Sequence, residues 1–538
     1  MSGRNFIDEL LAEQQKTSAV ERFSRRHENH EWPAQALYYR DLIPLTAPKS
    51  GEQYSFEVEL DKCSGCKACV TACHSLNGLD DNESWRDVGV LSSTNSEAPF
   101  QQAITTACHH CVDPACANGC PVLAYEKDPI TGIVHHLDDQ CIGCQYCVLK
   151  CPYDVPKYSV SRGIVRKCDM CSSRLTAGEA PACVQSCPNE AIRITVVDQK
   201  EMSDRFRKES AATFLPGAPA GDYTVPTTVY RTGKKLPEGL VAGNHHDLRP
   251  QPAHFPLILM LLLTQASVGI FFWNQALTFW WPGALSLSGQ KTNLLAGLVA
   301  GMAGIAASVA HLGRPFQAWR SFLGLKKSWL SREIVVFGLY LGSASAFVCT
   351  VLLRPSLIGG LSANLAALWT ILIGLLGVFC SVMIYHDTRR PFWHWNLTGA
   401  KFFGTTLALG AAVVLLNLPE QQGPPQILGL LILLVGGTKL GWEARSLRKS
   451  QETTDGVPSH PARIMSTTLK SPVLFRLELG VAGGILAPAG LVLGGISGAS
   501  LSVLEGLMLV LLIGGEFFER YLFFTAVAPS RMPGGIAP

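Results

Sequence analysis

The chain is short of charge. Asp, Glu, Lys and Arg make up 16% of its 538 residues and nearly cancel, leaving a formal net charge of +3. Nucleic-acid binding calls for a concentrated positive excess, so that partner class is excluded. The first residues, MSGRNFIDELLAEQQ, lack the apolar core of a signal peptide. Arg25-Arg26 looks like a twin-arginine pair, but no hydrophobic segment follows it. Export on a signal of its own is therefore not expected, and a reducing compartment argues against a disulfide framework. Residues 57–200 contain no nucleotide-binding fingerprint and no nucleophile or acid–base pair. A substrate-converting centre is not expected there.

What the chain does have is divided between two unlike halves. Up to about Ala253 it reads as soluble and rich in Cys; beyond that, long apolar runs dominate. Sixteen of the eighteen Cys fall into four groups. The first is Cys63, Cys66, Cys69 and Cys73, and the second is Cys108, Cys111, Cys116 and Cys120. The third is Cys141, Cys144, Cys147 and Cys151, and the fourth is Cys168, Cys171, Cys183 and Cys187. The C-x2-C-x2-C-x3-C-P spacing of the third is the bacterial ferredoxin pattern, in which three close thiolates hold one [4Fe–4S] cube and the fourth reaches a neighbouring one. Structural zinc is the competing reading, but zinc sites use two pairs of ligands, not four close Cys closed by a Pro. Four groups imply four cubane clusters and one-electron chemistry. Cys349 and Cys380 lie in apolar runs and read as ordinary buried thiols.

The order and spacing of the groups, with CHHCVDPAC, KCPYDVPKY and RKCDMC, resemble the iron–sulfur subunit of the DMSO reductase family of molybdenum enzymes. The resemblance implies shared ligation between groups one and four and between groups two and three. One cluster would take Cys63, Cys66, Cys69 and Cys187, and its neighbour Cys168, Cys171, Cys183 and Cys73. A third would take Cys108, Cys111, Cys116 and Cys151, and the fourth Cys141, Cys144, Cys147 and Cys120. All sixteen positions are Cys, so four [4Fe–4S] clusters are expected and no three-iron variant. His74, where the other groups have Pro, changes the turn after Cys73 but not the ligand count.

Residues 201–253 are rich in Pro, Gly and Thr and leave two readings open, a flexible linker or a surface-hugging strap. Eight apolar segments long enough to cross a bilayer follow, near 255–274, 292–312, 333–353, 363–385, 402–418, 426–444, 474–495 and 502–524. The fifth is short, and GGILAPAG interrupts the seventh. Gly297 and Gly301 form a GxxxG, a signal of close helix packing. With eight spans both termini share a side. The loops of that side carry Arg314, Arg320, Lys326, Lys327, Arg332, Arg389, Arg390, Lys401, Arg445, Arg448 and Lys449; the opposite loops carry little beyond Lys291, Arg354 and Glu420. The positive-inside rule then places the Cys-rich half on the cytoplasmic side of the inner membrane. The same basic loops would also serve as a docking surface.

AHLGRPFQAW, SWLSREI and IYHDTRRPFW resemble the eight-helix membrane anchor of the same enzyme family, so the chain resembles a fusion of two subunits. Quinols release two electrons and two protons, whereas clusters take electrons singly and no protons. A quinol site therefore needs a proton acceptor at the membrane edge. His311 suits that role because imidazole titrates near neutrality. Glu333 or Asp387 would orient it or pass protons on, and Arg314 and His386 complete the candidate set. The bland alternative is that His311 only ends a helix and that Arg314 and Arg320 snorkel or dock. Glu516, Glu519 and Arg520 read as a pairing within the bundle. No His lies deep enough to ligate haem, and none is expected.

The fold class expected is an α+β ferredoxin-like four-cluster domain joined to an all-α bundle of about eight transmembrane helices. The divisions are an N-terminal extension (1–56), the cluster domain (57–200), the connector (201–253) and the anchor with its quinol site (254–530). The function expected is a membrane electron-transfer subunit that draws on the quinol pool, menaquinol in anaerobic respiration. It would serve a separate molybdopterin (bis-MGD) catalytic subunit. The alternatives are a quinone-reducing subunit of a hydrogenase or formate dehydrogenase type complex, an ion-translocating module, and a bare anchor.

Overall fold

A computed structural model of the protein describes residues 21, 41–81, 83–93, 99–208, 214–245, 247–354, 360–419, 423–451, 459–493, 498–527 and 531–535. Most of the expected extension over 1–56, including the first half of YYRDLIP, and Glu420 lie outside the described residues. The chain forms two compact units: Met1–Asp247 with Pro529–Pro538, and Leu248–Ala528.

The first unit is built on short strands and short helices. β1 (Glu52–Glu59) pairs antiparallel with β8 (Ile192–Asp198), from Glu52↔Asp198 to Val58↔Ile192. β2 (Asp87–Ser93) and β3 (Gln101–Thr106) form a second antiparallel pair. Two small hairpins complete the set: β4 (Tyr125–Lys127) with β5 (Val134–His136), and β6 (Lys157–Ser159) with β7 (Ile164–Arg166). Each Cys group opens or closes a short helix: α1 (Ala68–Asn77), α2 (Ala115–Gly119), α3 (Tyr146–Lys150), α4 (Ser172–Thr176) and α5 (Ala182–Gln185). Strands this short cannot bury a core alone. The thiols fill the space instead: Cys69, Cys108, Cys168, Cys183 and Cys187 share one buried cluster with Phe56, Ile133, Met170 and Ile192.

The connector is not a flexible linker. It begins as α6 (Gln199–Lys208), which buries Met202 and Phe206. β9 (Val229–Arg231) then pairs parallel to β1, and β10 (Leu240–Ala242) pairs antiparallel to β2. Val225, ahead of β9, is wholly buried. The Tyr and Val content of this stretch carries the strap. The C-terminal tail joins the same unit: Val90 donates its N–H to Gly534 O at 3.1 Å, and a Cβ at Gly89 would sit 1.7 Å from Pro533 O.

Among its described residues the second unit has eight helices long and apolar enough to cross a membrane. These are α7 (Phe255–Trp280), α8 (Leu287–Ala310), α9 (Trp329–Leu353), α10 (Leu361–His386), α11 (Trp395–Leu415) and α12 (Pro424–Gln451), then the composite seventh and α16 (Ala499–Thr525). A short α13 (His460–Ser466) precedes the seventh span. Even the shortest, α11 with 21 residues, is about 31 Å long, enough for the hydrocarbon core. The seventh is α14 (Lys470–Val481), a π turn (Ala482–Leu486) and α15 (Ala487–Leu493). Pro488 has no N–H for the carbonyl of Gly484, and a wider turn accommodates the missing bond. That carbonyl faces α12, where only a glycine fits: a Cβ at Gly436 would lie 2.5 Å from it. Gly297 and Gly301 bring α8 onto α7, against Phe271 and Ser267. Cys380 is buried, but Cys349 is exposed, because its stripe of α9 faces outward.

The tightest crossing is between α7 and α11, where a Cβ on Gly269 would fall 1.9 Å from Thr406 O. Gly338, on α9, has open space around it. Gly269→Ala is predicted to lower the melting temperature of the detergent-purified protein. Gly338→Ala should leave it unchanged or raise it, since Ala favours a helix over Gly by up to about 1 kcal/mol.

Candidate functional site: sixteen thiols and a membrane-edge histidine

The first C-x2-C turn of each group has the same backbone shape. The residue just before the second Cys is left-handed in each: Gly65 (φ 73°), His110 (φ 40°), Gly143 (φ 70°) and Met170 (φ 60°). Glycine adopts this freely; His110 and Met170 must be held there. His110 is fully buried and held at both ends: its O accepts from Gln53 Nε2 at 2.7 Å, and its Nδ1 accepts from Val134 N–H at 3.1 Å. The turn aims backbone donors at sulfur. Gly143 N–H points to Cys141 Sγ (3.4 Å) and Met170 N–H to Cys168 Sγ (3.3 Å). Four residues past the closing Cys of groups two and four, Ala124 N–H reaches Cys120 Sγ and Ala191 N–H reaches Cys187 Sγ, both at 3.2 Å.

The fold gathers thiols that lie far apart in sequence. Cys63 is within electrostatic reach of Cys69, Cys187 and Cys66, and Cys73 of Cys183 and Cys171. Cys111 is within reach of Cys108, Cys151 and Cys116, and Cys147 of Cys144, Cys141 and Cys120. Two cross-links join neighbouring sets, Cys69 to Cys183 and Cys108 to Cys168. None of the sixteen is joined in a disulfide. Burial, reinforced by neighbouring thiols, pushes Cys73 and Cys116 up to about 12 and Cys151 up to about 11. Without metal these groups stay protonated, so metal uptake must release protons. Cys141 is an exception. Burial works against its ionisation, but hydrogen bonding from His136, itself 2.8 Å from Asp138, brings it below the ordinary value.

These residues fit iron–sulfur clusters, because the fold gathers thiols from different groups into sets. The surroundings also anticipate negative charge: Arg86 is 2% exposed, yet its Nε and Nη2 have no hydrogen-bond partner.

In the second unit His311 caps the C-terminus of α8, and its ring meets His254 edge-on at 5.3 Å. His254 in turn packs on Phe524, which touches Tyr385. Glu333 is buried near the start of α9 and accepts a hydrogen bond from Ser381 Oγ on α10. His386 ends α10 and leaves Nδ1 buried without a partner; Asp387 is its C-cap. No hydrogen bond or ion pair joins His311 to Glu333. Arg314 precedes the 3-10 turn Pro315–Phe322.

The largest polar structure in this unit links α7, α11, α12, α14 and α16. Lys439 binds Glu516 and lies 3.7 Å from Glu519. Lys401 reaches Glu519 at 3.1 Å, and Arg476 reaches Glu443 at 3.2 Å and Glu516 at 3.6 Å. Arg520 bonds Glu519, Thr405 Oγ1 (2.9 Å) and Gln265 Oε1 (2.8 Å). Beside it is an apolar-walled cavity of about 260 Å³, lined by Leu397, Lys401, Glu443, Arg476, Glu519 and Phe523 among others. None of the five candidate quinol residues lines it.

Comparison with known proteins matches residues 100–197 to a 4Fe-4S dicluster domain and residues 252–455 to the DMSO reductase anchor subunit. The B subunit of anaerobic dimethyl sulfoxide reductase from Haemophilus influenzae is 33% identical over 192 residues, 34% of this chain and 91% of the relative. The corresponding B subunit of Escherichia coli K12 is 34% identical over 200 residues, 36% of this chain and 95% of the relative. The hydrogenase-2 operon protein HybA of Escherichia coli O157:H7 is 34% identical over 197 residues, 32% of this chain and 58% of the relative.

The protein belongs to the family of DMSO reductase iron–sulfur subunits.

It is a fusion in which a half resembling the B subunit is followed by the anchor subunit. As a member of this family it carries iron–sulfur clusters for electron transfer and is a multi-pass membrane protein. Sequence reading missed two of its polar landmarks. His254 lies one residue before the first span and was placed at the start of the anchor without a role. Lys439 was visible as the one cation inside the sixth apolar run, and an ionisable residue at that depth is a signal in itself. Lys401 and Arg390, counted among loop charges, are taken up inside the fold: Lys401 by Glu519, Arg390 over the Trp393 ring at 5.3 Å. Removing Lys439 leaves Glu516 and Glu519 buried with less compensation. Lys439→Met is therefore predicted to destabilise the protein by about 3–5 kcal/mol, and Lys439→Met/Glu516→Leu to recover part of the loss, read by thermal unfolding in detergent.

Proposed function

We propose that the protein is the membrane-bound subunit that takes electrons from quinol and delivers them to a separate molybdopterin catalytic subunit. Four [4Fe–4S] clusters supply the one-electron storage between the two. Cys63, Cys66, Cys69 and Cys187 hold the first, and Cys73, Cys168, Cys171 and Cys183 the second. Cys108, Cys111, Cys116 and Cys151 hold the third, and Cys120, Cys141, Cys144 and Cys147 the fourth. The observation that carries this reading is the joining, in one chain, of four thiol sets to an eight-helix membrane unit.

Two electrons and two protons leave a quinol as it becomes quinone. His311, half-buried at the end of α8, offers a lone pair for one hydroxyl proton. Glu333 or Asp387 orients it or takes the second proton, and Arg314 and His386 complete the proposed set. The redox half sits on the cytoplasmic side of the inner membrane, supported by Arg320, Lys326, Lys327 and Arg332 on one set of loops. The terminal acceptor is chosen by the partner subunit. A hydrogenase-type partner would reverse the flow into quinone, a reading favoured by the likeness to HybA.

The test is quinol-driven cluster bleaching in proteoliposomes. His311→Ala is predicted to slow it at least tenfold while the iron content stays unchanged. Unchanged bleaching would remove the role given to His311 and move the quinol site to the cavity beside Lys401 and Arg476. Native-membrane extraction should bring down a larger molybdenum-bearing chain, and a nickel-bearing partner in its place would favour the hydrogenase reading.

A further inference from the structure

Two buried cations of the first unit have no carboxylate partner among the described residues, and each stands where one thiol set meets the next. Arg86 is 2% exposed. Its Nη1 donates to Thr105 Oγ1 at 3.1 Å, and its guanidinium lies 4.5 Å from the centre of the Phe56 ring. The rest of the group faces sulfur: Cys183, Cys69, Cys168 and Cys73 are within electrostatic reach. Three of these belong to the second set and one to the first. Lys167 is 3% exposed and donates to the carbonyls of Val134 and Cys168. Cys108 and Cys116 of the third set and Cys168 of the second surround it. Asp169 stands nearby, but its oxygens accept from Cys171 N–H at 2.9 Å and Ser172 Oγ at 3.4 Å. The neighbouring Arg166 is different: Glu83 neutralises it at 3.0 Å. Between the third and fourth sets stands Tyr125, which reaches Cys116 on one side and Cys147 and Cys120 on the other.

We infer that Arg86 and Lys167 set reduction potentials. Arg86 raises those of the first and second clusters, and Lys167 those of the second and third. Adding an electron makes a thiolate-held cluster more negative by one unit, and a fixed cation in a water-poor interior favours that form. Burial would ordinarily disfavour the cations. Arginine keeps its charge at any working pH, and Lys167 spends donors on the carbonyls of Val134 and Cys168. Neither residue ligates iron, and both act through the sulfurs beside them.

The inference rests on the four-cluster assignment proposed above, so iron and sulfide content separates its failure from the failure of that assignment. The experiment is an EPR-monitored redox titration of the full-length protein, with signals assigned by single Cys→Ser variants in each set. Arg86→Met is expected to lower the reduction equilibrium of the first and second clusters at least tenfold, a shift of about 59 mV for one electron. Lys167→Met should do the same for the second and third. The fourth should not move in either variant, and Arg86→Lys should restore most of the shift. Unmoved potentials in a fully iron-loaded Met variant would overturn the inference, as would an equal shift of all four. So would loss of iron from both Met variants with iron retained in Arg86→Lys and Lys167→Arg, since the two charges would then be structural. Should Arg86→Met alone lose iron, Lys167→Met decides the matter on its own pair.

Discussion

A charge held away from water needs an opposite charge or a directed hydrogen bond within a few ångströms. Both halves of this molecule are organised by that requirement. In the first unit it is sulfur that must be compensated. Backbone N–H groups meet Cys120, Cys141, Cys168 and Cys187, and Arg86 and Lys167 fill the gaps between sets. In the second unit Glu443, Glu516 and Glu519 are each paired with Lys or Arg among the apolar helices. Remove the compensation and neither interior has a stable alternative, because water is excluded from both.

The two networks differ in what they permit. The membrane cluster is closed on itself, with four cations, Lys401, Lys439, Arg476 and Arg520, facing three carboxylates across several helices. Such a cross-brace fixes register, and its carboxylates are already occupied, which fits a static role better than an open proton path. The cations of the first unit are the reverse. Arg86 and Lys167 have no carboxylate of their own and keep their full field for whatever the thiols hold.

Much of this was legible in the sequence, for physical reasons that differ by feature. The Cys groups announce themselves because chelation of a small cube fixes spacing, and the glycines at Gly65 and Gly143 mark the left-handed turn each loop requires. The same turn at His110 and Met170 was not legible, since those residues give no sign of positive φ; tertiary contacts hold them there. The eight spans were readable from length and apolarity, with boundaries extended by a few residues where Trp329, Trp395 and Lys470 begin helices inside interfacial sequence. The strap was ambiguous because Pro and Gly suit both a linker and an edge strand, and only pairing with β1 and β2 decides. Arg86, Lys167 and His254 were invisible as functional candidates. Each acquires its meaning from neighbours distant in sequence, Arg86 from Cys183 and His254 from His311.

The central claim is that sixteen thiols in four sets hold four cubes. It is tested most directly by measuring iron, acid-labile sulfide and zinc per polypeptide on anaerobically purified protein, with Mössbauer spectra of the same sample. The account predicts about sixteen irons and as many sulfides, no zinc, and spectra of [4Fe–4S] type alone. Stoichiometric zinc, or iron near half that value in a homogeneous fully folded sample, would contradict it.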